Sequence, residues 1–281
     1  MNDRPGSTTR VPVTVVDGGR LVTRSDRLAT EEPLEIRVRT TGDAKTVAFT
    51  MRTPGADFDL AIGFLFAEGL IESKEQIRTI AYCRDPGVDI DQLYNIVTVD
   101  LDADVHVELG GLERHFYTSS ACGVCGKANL DMLSTQGAKP LPDGPRVDGE
   151  TIAGLPEKLR AAQRLFHATG GLHAAGLFTR TGEPIDVRED VGRHNAVDKL
   201  LGARVMEGEI PSTDRIVMVS GRASYEILQK CLVAGVPIVC AVSAPSSLAV
   251  DVARAFNMTL IGFLREERFN IYSGADRIVV G

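Results

Sequence analysis

The chain has no tryptophan and only 5% aromatic residues. A core must therefore come from aliphatic side chains, and a 43% hydrophobic content over 281 residues supplies enough for one large domain or two modest ones. Positive charge is not in excess: 31 Lys and Arg stand against 38 Asp and Glu, a net charge of -7. Such a field opposes non-specific nucleic-acid binding. No apolar run approaches the roughly 20 residues that cross a bilayer, and the polar start MNDRPGSTTR has no signal-peptide core. Neither a nucleic acid nor a membrane is expected as partner. An even, dense cysteine framework is also missing, since the five cysteines are scattered at positions 83, 122, 125, 231 and 240. That usage fits a reduced, cytoplasmic protein in which a close cysteine pair means chemistry or metal.

Residues 1–28 are polar without sustained period and read as a flexible arm. Over residues 29–115, LEIRVRT and KTVAFTMRT alternate as half-buried strands. ADFDLAIGFLFAEGLI has helical spacing, with Asp57 as candidate N-cap. IRTIAYCR and YNIVTVDL return to strand, which makes this subdomain α+β. Residues 116–148 hold the cysteine pair, the helical KANLDMLSTQ and a Gly/Pro-rich linker, GAKPLPDGPRVDG. Residues 149–281 open on a helix across TIAGLPEKLRAAQRLF and a hairpin turning at Thr181 and Gly182. Buried apolar strands such as RIVMVS and PIVCAVS then alternate with helices. The fold class is α/β, a layered sheet covered by helices, with an α+β N-terminal part.

Cys122-Gly123-Val124-Cys125 carries the most chemistry. A C-x-x-C spacing serves half a zinc site, a dithiol redox pair, or a persulfide-carrying nucleophile beside a second thiol. Zinc needs two more soft ligands, and neither a second C-x-x-C nor an H-x3-H occurs, although His106 and His115 lie nearby. A thioredoxin-like pair belongs after an early strand, whereas this one sits mid-chain in TSSACGVCG. Sulfur transfer needs an accessible thiolate. A mobile small-residue loop gives access, and Lys127 with the N-terminus of the following helix gives positive potential. Cys231 and Cys240 lie in apolar segments as core residues.

TSSACGVCG, GEPIDVREDVGRHNAVDKLLG, SGRASYEILQKCLVAGVPIVCAVSAPSSLAVDVA and TLIGFLREERFNIYSG together resemble the FdhD family of formate dehydrogenase accessory sulfurtransferases. The resemblance runs from about residue 30 to the C-terminus. It implies that persulfide sulfur passes from a cysteine desulfurase to the molybdenum bis-(molybdopterin guanine dinucleotide) cofactor before insertion into formate dehydrogenase. Cys122 would hold the sulfur and Cys125 assist. It further implies a homodimer, a cytidine deaminase-like C-terminal half, and cofactor contacts at Phe263, Leu264, Arg265, Glu266, Glu267 and Arg268. Deaminase chemistry itself is absent, because no H-x-E occurs and no P-C-x-x-C follows. No bound metal is expected.

Asp186, Arg188, Glu189, Asp190, Arg193, His194 and Asp198 crowd one strand-to-helix passage. A carboxylate there suits guanine N1 and N2, and arginine suits phosphate. Asp190, Arg193 and His194 are therefore expected at the nucleotide ends, with a GDP-like guanine nucleotide as surrogate ligand. Arg222 and Ser246 follow apolar strands, where ligands of α/β sheets collect. Ser246 reads equally as an N-cap. The alternative function is a non-catalytic chaperone of the molybdenum cofactor, its cysteines a redox or metal element.

Overall fold

The computed structural model describes residues 6–83, 90–105, 133 and 138–280. Cys122, Cys125, Lys127, His106 and His115 lie outside the described residues.

Strands β3 (Glu32–Arg39), β4 (Lys45–Arg52), β5 (Ile77–Tyr82) and β6 (Ile96–Leu101) form a sheet in the order β4-β3-β6-β5. β3 shows why: Leu34, Ile36 and Val38 are buried, while Glu35, Arg37 and Arg39 face outward. A two-residue period leaves one face apolar and one polar. The apolar face packs on helix α1 (Asp57–Ala67), within a core that also takes in Leu60, Leu65, Val97 and Val99.

The second sheet has six strands in the order β13-β12-β11-β10-β8-β9. They are β8 (His173–Thr179), β9 (Pro184–Asp190), β10 (Arg215–Val219), β11 (Ile238–Ala241), β12 (Thr259–Arg265) and β13 (Arg268–Ser273). β10, β11 and β12 run parallel, and their buried residues form continuous apolar runs because both faces are covered. On one face lie α4 (Arg193–Glu207), α5 (Tyr225–Val233) and α6 (Ser247–Ala255), in the same core as α1. On the other, α2 (Gly149–Ala162) packs Ile152, Leu155 and Leu159 on Phe178, Ile216 and Ile261. The stacking is sheet, helices, sheet, helix.

Two glycines let the halves meet. A Cβ on Gly63 of α1 would lie 1.9 Å from the Asp198 carbonyl oxygen, and one on Gly202 of α4 would lie 1.9 Å from that of Asp59. Only hydrogen fits at either place.

The sequence reading is corrected at four points. The segment expected as an arm without period forms a hairpin of β1 (Thr8–Asp17) and β2 (Arg20–Ala29), paired over ten positions and turning at Gly18 and Gly19, both with positive φ. The described part of the expected linker is strapped to the body. Leu141 N–H donates to the Phe256 carbonyl at 2.9 Å, and β7 (Val147–Asp148) pairs with β14 (Ile278–Val279). The helix expected to run through residue 166 breaks at Gln163, where ψ is 79°, and resumes as α3 (Arg164–Thr169). Asp57 is the first helical residue rather than the cap, a place taken by Ala56. Its buried carboxylate instead accepts from Arg52 Nε and Nη2, each at 3.2 Å.

Candidate functional site

The carboxyl ends of β10, β11 and β12 define one edge of the larger sheet. β9 runs in the same sense, because β8 is antiparallel to both β9 and β10. The chain therefore leaves β9, β10 and β11 at this edge and starts α4, α5 and α6 there. Three helix N-termini, whose first N–H groups have no carbonyl partner within the helix and which carry partial positive charge, converge on one rim.

Backbone bonds stitch the rim loops together. Ser243 N–H donates to the Gly221 carbonyl at 3.3 Å, Phe263 N–H to the Ser243 carbonyl at 3.2 Å, and Ser246 N–H to the Ala223 carbonyl at 2.9 Å. The His173 ring lies against Gly221, where a Cβ would sit 3.4 Å from its Nδ1. Ser220 Oγ accepts from Ala174 N–H at 2.9 Å and closes the loop onto β8. These links bring residues of four segments to one surface.

Arginine supplies the positive charge. Arg222 is exposed, and no carboxylate pairs with it among the described residues. Arg193 opens α4, and its buried Nε has no hydrogen-bond partner among the described residues. His194 Nε2 lies 3.0 Å from Ser224 Oγ and 3.1 Å from Glu226 Oε2. Burial takes its pKa down to about 4, with the Arg193 and Lys230 charges adding to burial and Glu226 opposing it. Burial, and then Arg193, also lower His173. Both shifts favour the neutral imidazole, so the rim offers guanidinium charge beside neutral rings, with the Glu226 carboxylate next to His194.

At the far end of the rim, Phe263, Arg265, Glu266, Arg268 and Asn270 line a depression of about 500 Å³. Phe263 is 44% exposed. Phe263 and Glu266 hold φ of 52° and 51°, a left-handed conformation costly for residues with a Cβ. The register shift between Gly262 and Arg265 in the β12–β13 hairpin accommodates them. Glu267 is exposed on the same turn.

Some expected site residues are elsewhere. Leu264 is fully buried beside Ile261 and Ile238, so its side chain belongs to the core. Asp190 is also fully buried. It accepts from Thr53 N–H at 3.1 Å, Gly192 N–H at 2.8 Å and Asn195 Nδ2 at 3.0 Å, and pairs with Lys199 Nζ at 2.6 Å. Its acceptor capacity is spent inside the protein, so it positions the start of α4 and cannot read a base. Ser246 caps α6, accepting from Ala249 N–H at 3.3 Å. Glu189 receives Leu165 N–H and Phe166 N–H at 2.8 and 2.7 Å and tethers α3. Asp186 and Arg188 pair with one another and with Arg204 and Asp59, beside a separate groove of about 540 Å³ at the edge of β9. The charges lining that groove are largely matched, so we place the site at the rim.

Sequence reading missed Arg52, Thr53, Asn195, Lys199 and Lys230. One signal was available: Lys199 and Lys230 interrupt apolar helical faces, where a cation needs an internal anion.

The chain was compared with known proteins. A model of the FdhD/NarQ family matches residues 29–279. The sulfur carrier protein FdhD of Streptomyces coelicolor is 50% identical over 275 residues, covering 97% of this chain and 96% of that protein. The sulfur carrier protein FdhD of Mycolicibacterium paratuberculosis is 48% identical over 272 residues, covering 96% and 98%. A crystal structure from Desulfotalea psychrophila, of a protein described as a formate dehydrogenase accessory protein, superposes with a TM-score of 0.73 at 25% identity, covering 97% of this chain and 99% of that one.

Proposed function

Because the chain belongs to the FdhD/NarQ family, we propose that it is a sulfur carrier required for formate dehydrogenase activity. In this reading it is a sulfurtransferase that works through a persulfide on Cys122. The observation that carries the assignment is the state of the other thiols. Cys231 and Cys240 are fully buried, and burial pushes the Cys231 thiol up to about 12 and Cys240 higher still. Cys83 is buried as well. A thiol sealed from solvent neither attacks a persulfide nor presents one. Of five cysteines, Cys122 and Cys125 are left for the chemistry.

The Cys122 thiolate attacks the outer sulfur of a desulfurase persulfide. A new S–S bond forms, the old one breaks, and the desulfurase cysteine leaves as a thiolate. Cys125 assists. The substrate that receives the sulfur is the molybdenum bis-(molybdopterin guanine dinucleotide), held along the rim before it enters formate dehydrogenase. Arg193, Arg222 and the N-termini of α4, α5 and α6 bind its phosphates. The depression around Phe263, Arg265, Glu266 and Arg268 takes a guanine end, with the Phe263 ring as a stacking face. His194, neutral and tied to Ser224 and Glu226, keeps the rim open to an anion. The working form is a cytoplasmic homodimer.

Mass spectrometry after incubation with a cysteine desulfurase and cysteine tests this. A gain of one sulfur on Cys122, absent in Cys122→Ala, is expected. A protein that takes up no sulfur, yet whose alanine variant still restores formate dehydrogenase, would be a cofactor chaperone instead. GDP should bind the unmodified protein, and Arg222→Ala should weaken it about tenfold or more, the scale of one charge-assisted contact.

A further inference from the structure

Two consecutive units of the larger sheet repeat one another in shape. β10, its loop and α5 are followed by β11, its loop and α6, and equivalent residues stand 22 positions apart. Ile216 pairs with Ile238 and Val219 with Ala241, Ala223 bridges Pro245, and the two nine-residue helices follow Ser224 and Ser246. The units also end alike. Each has a left-handed residue, Gly235 or Asn257. The next N–H then bonds back into the helix, Val236 to the Cys231 carbonyl at 2.9 Å and Met258 to that of Ala253 at 2.8 Å. Each unit is therefore a control for the other.

The two differ at the cap. Ser224 and Ser246 share a backbone conformation, with φ -93° and ψ 170° against φ -80° and ψ 158°. Ser246 Oγ accepts from Ala249 N–H at 3.3 Å, the ordinary bond of an N-cap serine. Ser224 makes no cap bond. Its Oγ lies instead 3.0 Å from His194 Nε2, which is also 3.1 Å from Glu226 Oε2. A carboxylate only accepts, so the neutral ring carries its proton on Nε2 and points it at both oxygens. The counterpart of Ala249 is Ile227. Its N–H, in the first turn, has no carbonyl partner within the helix, and Ser224 is held away from it. Arg193 adjoins the same loop: its Cδ lies 3.8 Å from where a Gly221 Cβ would sit, and its buried Nε has no hydrogen-bond partner among the described residues. Arg193 and Arg222 set two guanidinium charges against the one Glu226 carboxylate. Donors without acceptors beside surplus positive charge suit an anion.

We propose that His194 is a positioning residue that holds the Ser224 hydroxyl off the start of α5, leaving the Ile227 N–H to a phosphate oxygen of the ligand beside Arg193 and Arg222. The second unit, whose serine caps its own helix, contributes less. This names one phosphate contact of the rim and rests on the binding surface proposed above.

Calorimetric titration of the full-length protein with GDP tests it. His194→Phe keeps a ring and removes the N–H, which releases Ser224 to cap α5. GDP affinity should fall about tenfold, the scale of one charge-assisted contact. His194→Phe/Ser224→Ala should regain wild-type affinity to within about threefold, because no hydroxyl is left to close the amide. A ring that only supported the fold would not be rescued by deleting a second side chain. A measurement on the unsubstituted protein stands beside these: the Ile227 amide resonance should shift when GDP is added. A wild-type protein that does not bind GDP would overturn the binding surface and this inference together. GDP binding with unchanged affinity in His194→Phe, a loss that Ser224→Ala does not restore, or an Ile227 amide indifferent to GDP would overturn the role of His194 alone.

Discussion

Two ion pairs of similar composition sit in two regions of this molecule and do different work. On the outer face of the smaller sheet, Arg39 Nε lies 2.7 Å from Asp100 Oδ1, with side-chain exposures of 43% and 13%. Between the sheets, Lys230 Nζ lies 2.7 Å from Asp198 Oδ1, with exposures of 7% and 5%. The Asp100 carboxyl is held below its usual range, first by its hydrogen bond from Arg39. Burial pushes Asp198 up to about 6 even with Lys230 beside it. For Lys230 burial works downward, and Asp198 with Glu68 overcomes it. The lesson concerns position. Water shares the work of the outer pair, whereas the inner pair lies where water does not reach, and each member there depends on the other.

The difference can be sharpened or broken by experiment, most strongly at the helix crossing that seals the inner region. Gly63→Ala should destabilise by about 4–5 kcal/mol, at the top of the range for single changes, because a backbone carbonyl has to move. Urea unfolding checks this, and a loss under about 1 kcal/mol would mean the crossing is looser than drawn. Next, Lys230→Met should cost about 3–4 kcal/mol by leaving Asp198 buried and unpaired, with Lys230→Met/Asp198→Leu recovering most of it. Equal costs for single and double variants would show that the pair is not coupled.

A smaller effect lies in pH. His194 titrates near 4 when folded and near 6.5 unfolded, so between those values the unfolded chain binds the extra proton. Its contribution is complete above about pH 6.5 and is lost as pH falls to 4. His194→Gln should remove up to about 3 kcal/mol of that pH dependence. Parallel stability curves for the two proteins would contradict the assignment. The smallest change is at the outer pair, where Arg39→Ala should cost about 0.2–1 kcal/mol and less in high salt. A cost equal to that of Lys230→Met would dissolve the contrast between regions.

Much of the architecture was legible because local pattern and tertiary role agree in it. Alternation in LEIRVRT marked β3, and the apolar runs of RIVMVS and PIVCAV marked the doubly covered strands β10 and β11. The rim was legible in outline, since Arg193, His194 and Arg222 follow strands that end on it, and Phe263, Arg265, Glu266 and Arg268 lie at the turn between β12 and β13. Asp190 was misread because its neighbours in sequence are charged, which suggested a cluster open to a ligand. Its true partners are Thr53, from 137 positions away, and Lys199. The hairpin was misread because its valines alternate with arginine, proline and threonine, and no core among the described residues completes the signal.

The order of strands and helices, the family blocks and the single C-x-x-C pair are determined by the sequence alone, since each is written in neighbouring residues. Which charges remain free for a ligand was decided only by the tertiary structure. Freedom depends on whether a distant segment arrives with a matching group: Asp190 and Asp198 are met and spent, while Arg222 is met by no carboxylate among the described residues. Packing brings remote groups within hydrogen-bond reach and removes water from between them, and no local pattern records that.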